Sequence, residues 1–309
     1  DYRLLFARNG EKALQLAADE SPNLILLDVM MPDVTGLEVC RRLKATPATA
    51  RIPVIFVTAL SDPQDESGGF EAGAVDYIAK PVSAPIVKAR VRTHLSLVRV
   101  DELYASRLQI IQRLGRAAEY KDNETGLHVV RMSHYSAILA RAAGLGDRLA
   151  DDILHAAPMH DVGKLGIPDA VLRKPGPLTP EEWEVMRQHV RIGHEIIGDH
   201  DSPLLQMAAR IALSHHEKWD GGGYPQGLKG EAIPIEARIV AIADVFDALT
   251  SVRPYKPAWE IDKAVRLLVD EKGRHFDPAL VDAFIASLPA IWAIKERFAE
   301  APSPAERQA

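Results

Sequence analysis

Through roughly the first hundred residues, short apolar runs alternate with amphipathic stretches. Leu4–Ala7, Leu24–Val29, Val54–Ala59 and Tyr77–Ala79 read as strands, with helical patterns at Glu11–Ala18, Gly36–Lys44 and Pro63–Ala72 between them. This alternation predicts an α/β unit, a parallel sheet flanked by helices. In such sheets the working side chains gather at the carboxyl ends of the strands. Asp28, Thr58 and Lys80 fall at those ends, in LILLD, VIFVT and DYIAKP. Each alone has a plain structural explanation, because Asp forms turns and a Lys before Pro is commonly solvated. Three at successive strand ends would instead bring a carboxylate, a hydroxyl and an ammonium to one edge of the sheet.

Beyond Ser83 the pattern changes. Up to Tyr120 the only turn signals are Pro85 and Gly115, and Val87, Val91, Leu95, Val98, Leu103, Leu108, Ile111 and Leu114 recur at spacings near three or four. That is an amphipathic stripe on a long helix. From Leu108 onward it reads as the core-facing side of a second domain. Its earlier part suits a linker helix that pairs with its twin in a homodimer. Strand signals are absent from Leu108 to about Glu300, so the second domain is expected to be an all-α helical bundle. Thr179-Pro-Glu-Glu forms a capping box expected to launch the helix that carries His189, and Pro234 opens IPIEARIVAIADVFDALT. The expected organisation is a first domain over residues 1–97, a linker helix over 98–120, a second domain over 108–300, and a disordered Pro- and Ser-containing tail over 301–309.

Bulk properties narrow the function classes. A chain of 309 residues can bury two cores. Its net charge of -6 gives no general attraction to nucleic acid or to an anionic membrane, so a phosphate-bearing ligand needs local cations or metals. The single cysteine, Cys40, excludes an intrachain disulfide and a thiolate zinc site. No apolar run approaches the roughly 20 residues of a membrane span. A cytoplasmic protein is expected.

The chemistry concentrates in the helical part. Glu124 and His128 stand four apart in ETGLH, His160 and Asp161 are adjacent in MHDVGK, His189 lies in MRQHVRIG, and His215 and His216 open HHEKWDGGGYP. Residues four apart on a helix share a face. Adjacent ligands diverge and can serve neighbouring ions. Asp244, in RIVAIADVFDALTS, would bury an unpaired charge unless a cation receives it. Imidazole mixed with carboxylate suits Fe, Mn or Zn in open hydrolytic sites. Any one pair is common by chance; HDVGK followed by HHEKWDGGGYP in a helical segment is specific. The other histidines, at 94, 134, 155, 194, 200 and 275, read as core or surface residues.

Two resemblances follow from these motifs. Residues 1–97, through LLDVMMPDVTG, FVTAL and EAGAVDYIAKP, resemble the receiver domain of bacterial response regulators, a flavodoxin-like fold. The resemblance implies that Asp28 accepts a phosphoryl group from a cognate histidine kinase, that Thr58 and Tyr77 act as the switch, and that Lys80 pairs with the phosphoryl site. Receiver domains begin with a strand ending in an acidic pair that holds Mg2+, and this sequence opens in what looks like the second strand. The receiver domain is therefore expected to lack its first strand and helix, and to be phosphorylated inefficiently as given.

From Leu108 to Lys256 the sequence resembles the HD-GYP family of HD-domain phosphohydrolases, which hydrolyse cyclic di-GMP. The resemblance implies two or three divalent transition-metal ions, Fe or Mn, held by His128, His160, Asp161, His189, His215, His216 and Asp244, with Glu124 as the carboxylate of members carrying a third ion. It implies that Asp161 and Lys164 are catalytic, with Lys164 on the scissile phosphate, and that Gly222, Tyr224 and Pro225 lie in a loop near the substrate. Arg253 and Lys256, just past the Asp244 helix, are placed to hold phosphates. The expected activity is hydrolysis of cyclic di-GMP to pGpG, to GMP, or to both, by a hydroxide that bound cations make available at neutral pH. Two alternatives stand beside it: a hydrolase of another cyclic dinucleotide such as cyclic GMP-AMP, and a silent cyclic di-GMP receptor or scaffold, whose mark would be degenerate ligands.

Overall fold

The structure is a computed structural model, and it describes residues 2–31, 33–59, 68–122, 126–251 and 258–299. It divides into two compact units, Asp1–Ser106 and Arg107–Ala309.

The first unit is α/β. Helix α1 (Gly10–Glu20) precedes β1 (Ile25–Asp28), α2 (Gly36–Ala45) precedes β2 (Val54–Thr58), and β3 (Asp76–Ala79) completes a parallel sheet in the order β1-β2-β3. Asn9 and Thr35 cap α1 and α2 by accepting the Lys12 and Glu38 N–H groups. The register pairs Asp28 with Val57 and Thr58 with Ala79, so the strand ends align. Leu27, Val39, Leu43, Val54 and Phe56 form the core between sheet and helices.

The strand expected at Leu4–Ala7 is not formed. The segment pairs with no strand, and Leu4 and Phe6 are 68% and 82% exposed. A strand needs a paired neighbour for its backbone groups, and none of the described strands pairs with this segment. The helix expected at Pro63–Ala72 is described only from residue 68, and the tail from Ala301 lies outside the described residues.

Helix α3 (Ala84–Lys121) is one uninterrupted helix of 38 residues that begins in the first unit and ends in the second. Gly115, a turn signal in the sequence, lies inside it. A Cβ there would sit 2.1 Å from the Pro158 carbonyl oxygen, so glycine serves close approach rather than a turn.

The second unit is helical. After α3 come α4 (Leu127–Ala142), α5 (Asp147–Ala156), α6 (Asp169–Leu172), α7 (Pro180–Met186), α8 (His189–Ile197), α9 (Pro203–Ser214), α10 (Ile235–Thr250), α11 (Ile261–Asp270), α12 (Pro278–Ala286) and α13 (Leu288–Arg297). Between α5 and α6 the chain tightens into two 3-10 turns, Ala157–Met159 and Val162–Gly166. Met132, Tyr135 and Leu139 of α4 pack with Ile239, Val240 and Phe246 of α10 in a core that α5, α9 and α12 enclose.

One local expectation changes. Thr179 and Glu182 do form the capping box, but the helix they start ends at Met186, and His189 opens the next one. Helix α4 starts at Leu127, after Gly126 at φ 72°, and His128 lies in its first turn. Glu124 itself lies outside the described residues. No single helix among the described residues is long and apolar enough to cross a membrane.

Candidate metal centre

Five elements deliver the titratable side chains to one buried place in the second unit. His128 comes from the first turn of α4, His160 and Asp161 from the link between the 3-10 turns, His189 from the start of α8, His215 and His216 from the end of α9, and Asp244 from the middle of α10. His128, His160, His189 and His215 are each at most 5% exposed. One donor atom each from Asp161, His189, His215 and His216 lies within 4.8 Å of the others, and Glu119, His128 and His160 form a second such group. Asp244 Oδ1 stands 3.1 Å from Nε2 of His128.

Main-chain contact fixes this assembly. A Cβ on Gly163 would lie 1.8 Å from the His189 carbonyl oxygen and 2.4 Å from the Gly193 nitrogen. Only glycine lets the HDVGK turn rest directly on α8.

The ring nitrogens carry the chemical argument. Nδ1 of His160 lies 3.1 Å from the Ala157 carbonyl, Nδ1 of His189 lies 2.8 Å from that of Met186, and Nδ1 of His215 lies 3.0 Å from that of Ile211. A carbonyl can only accept, so each Nδ1 carries a proton, and a ring in its neutral form then presents a bare Nε2. Those three Nε2 atoms and Oδ1 of Asp161 are buried with no hydrogen-bond partner among the described residues, Nε2 of His160 lying 3.2 Å from Oδ2 of Asp161. Oδ1 of Asp161 is 3.3 Å from Nε2 of His189 and 3.6 Å from that of His215, close but not hydrogen-bonded. Converging buried lone pairs are costly without a cation to share.

Electrostatics divide the histidines: burial opposes charge on His160, yet Asp161 raises its pKa above the ordinary value. Burial pulls His189 down to about 4, the nearby Asp161 only partly opposing it, and burial with two neighbouring histidines holds His216 well below the usual range. Neutral imidazoles are what metals bind. Burial resists the charge on Asp161, yet Lys164 and His160 hold its carboxyl well below the ordinary value. Burial likewise opposes the Lys164 ammonium, and Asp161 and Asp122 outweigh it. Lys164 Nζ sits 2.9 Å from Asp161 and 2.6 Å from Asp122.

The GYP segment closes over the histidines. The Tyr224 ring stacks on His216 at 4.9 Å, and the Arg187 guanidinium lies 5.4 Å from the Tyr224 ring centre. Glu217, 3% exposed, accepts the N–H groups of Gln226 and Leu228 and holds the loop shut, while Asp220 accepts that of Gly222. Pro225 is half-buried and Gly222 exposed beside Tyr224. Arg253 and Lys256 fall outside the described residues.

Several residues here escape a reading of spacing. Asp247 is fully buried and reaches Nδ1 of His128 at 2.8 Å while accepting two hydrogen bonds from Arg131. Its signal was present: a second Asp one turn beyond Asp244 in an apolar helix. Glu119 comes from α3, and nothing in its spacing marks it. Glu217 follows the HH pair and reads from sequence as a surface charge.

In the first unit, Lys80 Nζ lies 2.5 Å from Asp28 Oδ2. Burial raises the Asp28 carboxyl, but the Lys80 hydrogen bond and backbone N–H groups bring it below the usual range. Thr58 is buried on the adjacent strand end, and half-buried Tyr77 meets the Phe70 ring edge-on at 6.3 Å. His94, read as ordinary, lies 2.9 Å from Asp76.

Comparison with known families matches the HD domain to residues 102–280, more than half of the chain, and the response regulator receiver domain to residues 1–92. The chain belongs to the HD-domain family and carries a response regulator receiver domain. Among its relatives, a protein named a probable cyclic di-GMP phosphodiesterase from Vibrio cholerae is 41% identical over 332 residues, covering 97% of this chain and 75% of its own length. The cyclic di-GMP phosphodiesterase response regulator RpfG of Xanthomonas campestris pv. campestris is 44% identical, covering 85% of this chain and 75% of its own. The 3'3'-cGAMP-specific phosphodiesterase 2 of Vibrio cholerae is 48% identical over 57% of this chain and 34% of its own length. The HD domain implies a divalent metal, and the unpartnered Nε2 atoms and carboxylate fit one.

Proposed function

We propose that this response regulator hydrolyses cyclic di-GMP in its HD domain. The observation that carries the reading is the convergence of three backbone-oriented histidines, each with a buried bare Nε2, on the Asp161 carboxylate. Asp161, His189, His215 and His216 would hold one divalent ion, and His128, His160 and Asp244 a second, with Fe or Mn favoured by the mixed imidazole and carboxylate donors. Glu124 would add a carboxylate for a third. When bound, such ions acidify water and draw charge from a phosphoryl oxygen.

The chain's own groups do the rest. The Lys164 ammonium, 16% exposed and anchored between Asp122 and Asp161, offers positive charge to a nonbridging phosphate oxygen. Tyr224, with His216 stacked on its ring and Arg187 over it, would offer its edge and hydroxyl to the substrate, and Gly222 and Pro225 shape the rim beside it. Arg253 and Lys256 would hold the second phosphate. Cleavage of one phosphodiester bond gives linear pGpG, and of both gives GMP.

The receiver domain would take a phosphoryl group on Asp28 from a cognate histidine kinase, with Mg2+ as its cofactor and Thr58, Tyr77 and Lys80 as the switch. Exposed Val100, Leu103, Ile110 and Leu114 on α3 follow a heptad rhythm that suits pairing with a second copy. Light scattering on the full chain tests that: a monomer at micromolar concentration removes it.

The relative specific for 3'3'-cGAMP favours a second reading, in which cyclic GMP-AMP is the substrate. The deciding experiment loads the protein anaerobically with Fe or Mn, measures the bound metal, and follows both dinucleotides side by side by chromatography. At least two ions per chain and faster loss of cyclic di-GMP are expected. None or one would overturn the metal centre, and faster loss of cyclic GMP-AMP would give the site to the second reading. Turnover of neither substrate by the loaded protein would leave a silent receptor.

A further inference from the structure

The last turn of α3 grips the HDVGK turn with a residue outside the metal centre. Lys121 Nζ lies 2.6 Å from the Ile167 carbonyl, 2.8 Å from that of Leu165 and 3.3 Å from that of Lys164. An ammonium has three donors, and here all three go to main-chain oxygens at the end of one 3-10 turn. Carbonyls at a helical end have no partner within the helix, and a cation there is favoured by the peptide dipoles. Asp169 stands 3.6 Å from the same ammonium, and the Lys121 carbonyl accepts from Arg173 Nε at 2.7 Å. Asp122, the next residue, takes the Lys164 side chain at 2.6 Å. Two consecutive residues thus hold Lys164 twice, once by its backbone and once by its ammonium.

We propose that Lys121 is a positioning residue that fixes the main chain of the Lys164 turn, and so aims the Lys164 ammonium at the phosphate being cleaved. The inference rests on the phosphodiesterase reading above. A turn of five residues is short, so its placement depends on what holds its last carbonyls. Misplacing a catalytic group by about 1 Å can cost on the order of 10²-fold in rate. Lys121 acts on Lys164 and not on the ligand atoms, so its loss should change turnover while leaving the metal in place.

The test is a double-mutant cycle on the full metal-loaded chain, with Lys121→Met to keep the aliphatic stem, Lys121→Arg as the conservative replacement, and Lys164→Gln. Metal content and single-turnover cleavage of cyclic di-GMP are measured for each. Lys121→Met should lower kcat roughly 10- to 100-fold with bound metal and KM near those of the parent. Lys121→Arg should restore part of the loss, and Lys121→Met should cost little more once Lys164→Gln is present. Parent-like kcat in Lys121→Met, a fully additive loss in the double variant, or a loss that follows metal content would each overturn the positioning role. An inactive, metal-loaded parent would instead overturn the phosphodiesterase reading.

Discussion

A carboxylate oxygen of Asp247 stands 2.8 Å from Nδ1 of His128. The other nitrogen of that ring faces Asp244 at 3.1 Å, and Arg131 holds Asp247 from behind with two hydrogen bonds. Burial opposes the charge on His128, but these two carboxylates raise its pKa well above the ordinary value. Carboxylate support of this kind orients a metal-binding imidazole and strengthens its basicity. Asp247→Asn keeps the volume and removes the charge. Metal affinity should fall about 10- to 100-fold, read by competition with a chelator, while circular dichroism stays that of the parent. Unchanged affinity would deny Asp247 a part in holding the ring.

Removing the metal should act on stability as well as on rate. A ligand that binds only the folded state adds about 2.7 kcal/mol at a hundred times its Kd. Chelation should therefore lower the melting temperature of the helical unit and abolish cleavage, with both returning on Mn addition. Asp161→Ala should abolish cleavage, lose the metal-dependent rise in melting temperature, and keep the helical spectrum. Retained activity in that variant would remove Asp161 from the site.

Glu217 organises the loop over the histidines without touching their ring nitrogens. Its carboxylate serves the N–H groups of Gln226 and Leu228 at 2.8 and 3.0 Å. Glu217→Ala leaves both donors unserved, at a cost of about 1–3 kcal/mol for each group that stays buried. The expected outcome is a raised KM and faster proteolytic nicking near Gly221–Leu228, with metal content unchanged. A loss of kcat alone would place Glu217 elsewhere in the mechanism.

In the first unit, Asp76 accepts two hydrogen bonds from Arg90 and one contact from His94. Burial raises its carboxyl, but these partners bring it below the ordinary value. A depressed folded-state pKa means that the stabilisation is complete above the unfolded value, about 3.9, and is lost as pH falls through the folded one. Urea midpoints of this unit should drop from about pH 5 down to about pH 2, and Asp76→Asn should flatten that drop. An equal drop in both proteins would show that Asp76 does not contribute.

What could be read from the sequence followed the range of the forces involved. Strand ends at Asp28 and Thr58, the Thr179 capping box and the helical second unit are set by local pattern, and local pattern is visible. Asp247 and Glu217 were not seen, because their roles arise from which elements pack together. The Leu4–Ala7 strand failed for a related reason: alternation can mark a strand, but only a neighbour makes one. His189 was placed on the wrong helix by a boundary of two residues, Arg187 and Gln188, which spacing does not resolve.

Gly163 meets the His189 carbonyl and the Gly193 nitrogen with no side chain between them, and a Cβ on Gly193 would in turn lie 3.3 Å from Ala212 on α9. Three ligand-bearing segments therefore abut through their backbones or through a single methyl group. The spacing of the backbones that carry Asp161, His189 and His215 is for that reason set by main-chain contact. A side chain added at Gly163 would therefore push whole segments apart, and with them every donor those segments carry.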